Sequence, residues 1–329
     1  MKNLRKADLH LHSNVSHDVP DLESLSPRAL FEKALGNPDP ARRMDYFTLT
    51  DHDTMDGYRR LIRELPEADR RLVIPGVEHT LRDPDLGFSI HVNLFLLDPD
   101  RYAHLRREVE TVDDLLHFCG EHQILAQYNH PTWFEHDELR LGQIDFAKVP
   151  YVAEVFQVLE LNAGRPRRLN QATRELAHRY GKALTANSDS HSGDVGLAHN
   201  VAPGDTAVAW LHNVWAGLGT VASADMTYSG MLNVVHDLID AVLDSCEGLT
   251  LAESMIHTRH RLVEALAVHL LNSRWLRRPG PAREGLRLLL KQISRPAIIS
   301  WLHQERRLAR QLAATLAPRE RPLDRARAA

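Results

Sequence analysis

Asp8-Leu9-His10-Leu11-His12 closes an apolar, strand-like run over residues 6–12 and sets two imidazoles on one face of it. Residues two apart on a strand project the same way, so His10 and His12 can reach a single ion. The arrangement recurs along the chain. Thr50-Asp51-His52-Asp53 ends a second run at 46–51, Gly76-Val77-Glu78 a third at 72–78, and Ile90-His91 lies within a fourth at 89–97. Asn129-His130-Pro131 follows 124–129, Glu160-Leu161-Asn162 closes 155–162, and Ser188-Asp189-Ser190-His191 follows 183–188. Strand candidates that alternate with helical patterns predict β/α units and a parallel sheet. Seven of them, each carrying His, Asp or Glu near its end, predict an incomplete TIM-type barrel, whose C-terminal rim is where chemistry is built.

The segments between the strands carry helix punctuation. Ser26-Pro27 is an N-cap followed by Pro at the first helical position, and Gly36-Asn37-Pro38 stops that helix. Thr111 opens a helix running to about residue 123, and 167–180 ends at Gly181. From about residue 230 the pattern changes. Apolar residues at 232, 235, 238, 239 and 242 make one helical stripe, a second helix is expected over 254–275, and a third over 283–316, interrupted at Pro296. The expected division is a barrel over 1–228, a helical C-terminal appendage over 229–317, and a disordered tail over 318–329.

Hydrophobic content of 43% and charged content of 26% are those of an ordinary globular protein. No apolar run reaches the roughly 18 residues of a transmembrane span. The first residues lead into a strand without a secretory core, and two cysteines make no disulfide framework. A cytoplasmic location is the expectation. Charge is unevenly spread: residues 277–329 hold thirteen Lys or Arg against four Asp or Glu, a balance of +9 in a chain of net −4. A basic end can hold nucleic acid, an anionic membrane or an acidic partner, or it can be a solvated helix face.

The chain has twenty histidines, and those at strand ends beside carboxylates point to metal. Imidazole suits zinc and other transition metals, while carboxylates bridge ions and balance charge. The ionisable run Asp51-His52-Asp53 would repel itself without a nearby cation. Glu78 is the natural bridging carboxylate. His91, inside an apolar strand, would by itself read as a core histidine, and His130 gains its weight from the rigid Pro131 beside it. Asp189 and His191 repeat the i, i+2 spacing of the first motif, and His17 and Asp18 stand within reach of it.

This order of motifs, HxH, TDHD, GxE, a lone His, His-Pro and SDSH, resembles the PHP (polymerase and histidinol phosphatase) domain over roughly residues 5–225. The resemblance implies a distorted (β/α)7 TIM-like barrel holding two or three divalent ions, usually manganese, zinc, iron or magnesium, and hydrolysis of phosphate esters. It places His10, His12, His52, Glu78, His91, His130, Asp189 and His191 at ligand positions. One departure stands in the first motif, where the family commonly has Ser-Asp-Gly and this chain has Ser16-His17-Asp18. By spacing His17 takes the Asp position; some relatives use the next residue, here Asp18. His17 is the favoured reading.

In the implied reaction, a hydroxide bridged by the metals attacks phosphorus in line with the leaving oxygen. Asp53 is a candidate proton donor or a partner that supports the ligands from behind, or merely a charge at a helix N-terminus. Arg165 is a candidate phosphate fork, with Arg167 and Arg168 near enough to share the role, or a surface ion-pairing residue. A phosphomonoesterase acting on a small metabolite or nucleotide is favoured. The alternatives are an exonuclease-like phosphodiesterase on short nucleic acids, drawn to the basic C-terminal region, and a non-catalytic metal-binding barrel that docks a partner. A homo-oligomer is compatible with all three.

Overall fold

The computed structural model describes residues 3–142, 144–244, 261–273 and 278–316, the side chains of 261–264 excepted. The tail at 318–329, the ends of the helix expected over 254–275, and Cys246 lie outside the described residues. The strands are β1 (Leu4–Ala7), β2 (Phe47–Thr48), β3 (Val73–Ile74), β4 (Gly76–Arg82), β5 (Ser89–Phe95), β6 (Leu125–Tyr128), β7 (Val158–Asn162), β8 (Ala183–Asn187), β9 (His199–Pro203) and β10 (Thr220–Ala222). The helices are α1 (Pro27–Leu35), α2 (Asp56–Glu64), α3 (Glu67–Arg70), α4 (Pro99–Glu108), α5 (Val112–His122), α6 (His136–Leu141), α7 (Val149–Val155), α8 (Arg167–Tyr180), α9 (Ala207–Trp215), α10 (Tyr228–Asp244), α11 (Arg261–Asn272) and α12 (Pro281–Leu316).

The architecture is mixed α/β, with sheets ordered β1-β9-β10, β2-β3 and β4-β5-β6-β7-β8. Single contacts stitch the sheets together at the functional end. Leu11 bridges Ser190 and His52 bridges Glu78, both in parallel sense. The Asp189 N–H donates to His10 O, and the Thr50 N–H to Leu11 O. These bonds set residues 8–12 between the ends of β8 and β2.

The sheet is not uniformly parallel. β5 runs antiparallel to both β4 and β6, whereas β6, β7 and β8 are parallel. No helix separates β4 from β5. Asp83 accepts the Asp85 and Leu86 N–H groups, making the turn that reverses the chain. The run expected at 72–78 is split at Pro75, which has no N–H for a ladder. Residues 199–203 form β9 against β1.

Local signals for the helices hold. Ser26 Oγ accepts the Ala29 N–H, Thr111 and Asp114 form a reciprocal capping box, and Gly181 ends α8 at φ 63°. Pro296, by contrast, does not interrupt α12, which runs through it. The N-terminal half of α12 buries Leu286 and Leu290 against Ile239, Val242 and Leu243 of α10. Its C-terminal half sends Leu308, Ala309, Leu312 and Leu316 into the main core beside α5, α7 and α8. Part of its positive charge is spent on α10: Arg287 pairs with Asp240 and Asp244, and Lys291 with Asp240.

Candidate metal centre

Glu78 lies near the start of β4, fully buried, with imidazoles around both of its oxygens. Oε2 is 2.9 Å from His10 Nε2, 3.2 Å from His12 Nε2 and 3.4 Å from His52 Nδ1. Oε1 is 3.2 Å from His91 Nδ1 and 3.3 Å from His130 Nε2, and it accepts the Asn129 amide at 2.8 Å. Two further carboxylates flank this group. Asp189 Oδ1 lies 3.1 Å from His12 Nε2, while Asp18 Oδ2 lies 2.7 Å from His191 Nε2 and 3.3 Å from His52 Nε2.

Among the described residues, four sets of donors fall within metal-binding reach. They are His12, Asp18, His52 and His191; His10, His12, Glu78 and Asp189; His10, His130 and Glu160; and His52, Glu78 and His91. Glu78, His10, His12 and His52 each belong to two sets, as shared ligands of adjacent ions would. All the expected ligand positions are thus brought together except one. His17 is exposed and belongs to none of the sets, although its ring lies 5.3 Å from that of His52. Asp18 takes the place instead, because the Ser16 hydroxyl donates to Asp18 Oδ1 at 2.7 Å and aims the carboxylate inward.

The backbone is bent to present these groups. His130 and Asp189 have positive φ, as does Asp53, and non-glycine residues of that kind concentrate at functional sites. A ring of polar contacts fixes the rest. Glu160 accepts from His10 Nδ1 and the His130 N–H, which turns His10 Nε2 toward Glu78. Asp8 gathers N–H groups of Ser188 and Gly196, and Asp51 holds the Ser13 N–H and hydroxyl. The Trp133 ring lies tilted against His91 and edge-on to His130, with centroids 4.7 and 5.3 Å away. Asp8, Asp51 and Glu160 stand at strand ends in the sequence with nothing to mark their supporting part, and no motif singles out Trp133.

Charge balance shows why the cluster suits cations. Burial works to lower the pKa of His10, but Asp189, Glu78 and Glu160 raise it well above its ordinary value. The same opposition takes His12 and His91 to about 10. Burial would raise Glu78, yet His10, His52 and His91 hold it well below the usual carboxylate range. His52 goes the other way, lowered chiefly by burial. Without an ion, protons on the rings balance the carboxylates; a bound cation would displace them, since ligand imidazoles must be neutral. His12 Nδ1 and His52 Nδ1 are buried without a hydrogen-bond partner among the described residues. The donor set therefore fits divalent ions of the zinc, manganese or iron kind.

Two assignments change. Asp53 Oδ1 accepts the Thr80 N–H at 2.9 Å and lies 3.3 Å from both His79 Nδ1 and the Tyr102 hydroxyl. Against burial, His79 and Thr80 hold its pKa down at about 2, so it is ionised at neutral pH and has no proton to give. It ties the His52 loop to β4. Arg165 is buried, with Nη2 2.6 Å from Glu305 and donating to Thr132 O at 3.0 Å. Its fork is engaged inside the fold rather than presented to a phosphate. His199 is in none of the metal-binding sets.

Solved structures give the comparison. No family model matches the sequence, and no curated protein does. Three solved structures are similar to this chain at low identity. A two-domain protein from Bacteroides vulgatus, containing a predicted PHP-like metal-dependent phosphoesterase, is 15% identical over 71% of this chain and 69% of that one, with TM-score 0.48. PsfC from Pseudomonas syringae is 19% identical over 73% and 98%, again at 0.48. The lesion-specific endonuclease PfuEndoQ from Pyrococcus furiosus is 15% identical over 67% and 57%, at 0.44. No helix of the described residues is long and apolar enough to cross a membrane.

Proposed function

We propose that this chain is a metal-dependent hydrolase of phosphate esters, of the PHP kind its sequence motifs resemble, acting on a small phosphomonoester of a metabolite or nucleotide. The observation that carries the reading is Glu78 with five imidazoles within 3.4 Å of its two oxygens. A buried carboxylate so placed suits a bridge between ions. Two or three divalent ions would be held by His10, His12, Asp18, His52, Glu78, His91, His130, Asp189 and His191. When bound, such ions lower the pKa of water and neutralise charge developing on phosphoryl oxygens.

The chain's own residues do the rest. Glu160 and Asn129 fix the orientation of His10 and Glu78. Asp8 and Asp51 hold the loops that carry Asp189 and His12, and Asp53 anchors that of His52. Such outer contacts orient ligands and raise their basicity. The barrel expected over 1–228, with the helices from 229 onward covering its flank, is the domain arrangement we favour. Ion pairing between α12 and α10 reduces the free positive charge that a nucleic-acid substrate would need.

The test is hydrolysis of a panel of phosphomonoesters, phosphodiesters and short oligonucleotides by manganese-loaded protein, with metal content measured in parallel. Turnover of monoesters with two or more equivalents of metal bears the proposal out. Stepwise trimming of oligonucleotides would move the substrate to nucleic acid. Bound metal without turnover of any member would favour a metal-binding barrel that docks a partner.

A further inference from the structure

Trp133 is half-buried against the metal centre, while the next residue, Phe134, is wholly buried. The loop that carries them is held from several sides. The Trp133 N–H donates to His130 O at 2.8 Å, and Arg165 donates to Thr132 O at 3.0 Å. Phe134 packs edge-on against Phe88 and Phe146. The indole is therefore fixed beside His91 and His130, the two imidazoles that approach Glu78 Oε1. Its Nε1–H has no hydrogen-bond partner among the described residues, yet it is not sealed from solvent. A tryptophan buried purely as packing usually finds that group a partner. Here a large aromatic surface and an open donor stand at the edge of an otherwise ionic cluster.

We propose that Trp133 is a specificity-determining residue of this centre, stacking on a flat aromatic ring in the organic part of the substrate. The inference rests on the phosphomonoesterase reading above and narrows it to esters that carry such a ring. A phosphoryl group bound on the His91 and His130 side of the centre has its organic part within reach of the indole. Stacking on a rigid aromatic side chain changes affinity on the order of tenfold per base and tolerates many ring types, because each has a π-face. An ester without a ring gains nothing from it.

The experiment is steady-state hydrolysis of AMP and of ribose 5-phosphate by full-length, manganese-loaded protein, since the second ester lacks the base. Trp133→Ala should lower kcat/KM for AMP about tenfold more than for ribose 5-phosphate, chiefly through KM. Trp133→Phe should recover most of that difference. In parallel, AMP is mixed with wild type and with Trp133→Phe, and indole emission is read by stopped flow. Wild-type emission should fall on stacking, and the fall should be missing in the variant. Should Trp133→Ala misfold, Trp133→Leu, which keeps apolar bulk without an aromatic face, carries the test. Equal losses on the two esters, or the same quenching in wild type and Trp133→Phe, would overturn the proposal and leave Trp133 as packing for the imidazoles. Hydrolysis of neither ester, with Trp133-dependent quenching intact, would sink the hydrolase reading while supporting the stacking role.

Discussion

The Arg165 guanidinium sits 2.6 Å from the Glu305 carboxylate, and both side chains are buried. The pair joins α12 to the loop after β7. The same guanidinium nitrogen donates to Thr132 O, two residues beyond the metal-site His130. Removing one partner of a buried pair strands the other charge, at a cost of about 3–5 kcal/mol. Glu305→Ala should therefore destabilise the protein by that order in urea melts. Arg165→Met/Glu305→Leu should cost much less than the sum of its single variants. Additive losses would show that the two charges are not coupled.

Asp18 and His17 separate cleanly as a test of the ligand set. Asp18→Ala should lose metal and lower hydrolysis by at least about 100-fold, the upper end of what even outer contacts to ligands cost. His17→Ala should keep its metal content and change activity by less than a few-fold. Metal analysis by mass spectrometry with initial rates decides it, and the reverse ranking would restore the sequence-based choice of His17.

The site was legible in the sequence wherever chemistry coincided with a strand end. His10, His12, His52, Glu78, His130, Asp189 and His191 stand out by motif and spacing, because the strands before them are apolar and their ends ionisable, whereas His91, inside β5, is expected only from the family resemblance. What was not legible depends on short-range geometry or on distant partners. Choosing Asp18 over His17 depends on the Ser16 hydroxyl holding one carboxylate inward. Arg165 read as a phosphate fork because its partner Glu305 lies 140 residues away on a helix of another region. The direction of β5 is not legible in the sequence, because an apolar run looks the same parallel or antiparallel and only the Asp83 turn tells them apart.

Metal-free protein should be most stable on the acid side of neutrality. His12 and His91 titrate near 10 in the fold against an ordinary 6.5. Their stabilising contribution is thus complete below about 6.5 and lost as the pH climbs toward 10. Asp8 and Asp51, pushed up to about 6 by burial, also penalise the fold once ionised. The depressed carboxylates Glu78 and Asp189 act oppositely, and their contribution fails only on acidification below about 4. The melting temperature of chelator-treated protein should therefore fall between pH 6 and pH 9. Added manganese should raise it more at the higher pH, where fewer protons must be displaced. A metal-free melting temperature that rises over this interval would contradict the assignment.

Gly57 tests the packing behind the ligands. It lies in α2, where alanine is intrinsically better by about 1 kcal/mol. A Cβ there would come 2.0 Å from Asp51 Oδ2 and 3.0 Å from Ser13 Oγ. Asp51 has little room to yield, since it holds the Ser13 N–H at 2.6 Å. Overpacking of about 1–3 kcal/mol should outweigh the propensity gain. Gly57→Ala is expected to be less stable and to retain metal less well, read by thermal melts and metal analysis.

Truncation tests whether the C-terminal helices are separable from the rest. Removing residues 277–329 would strip Leu308, Ala309, Leu312 and Leu316 from the main core and leave Arg165 buried without Glu305. Each core leucine contributes about 1.5–3 kcal/mol when fully buried, so the loss of three, together with the stranded arginine, is comparable to the whole stability of a typical domain, about 5–15 kcal/mol. The truncated chain should then be insoluble or unfolded by circular dichroism. A second truncation that removes only residues 317–329 should leave folding and hydrolysis intact. Folded, active protein ending at residue 276 would establish the preceding region as an autonomous barrel and reduce α12 to an accessory.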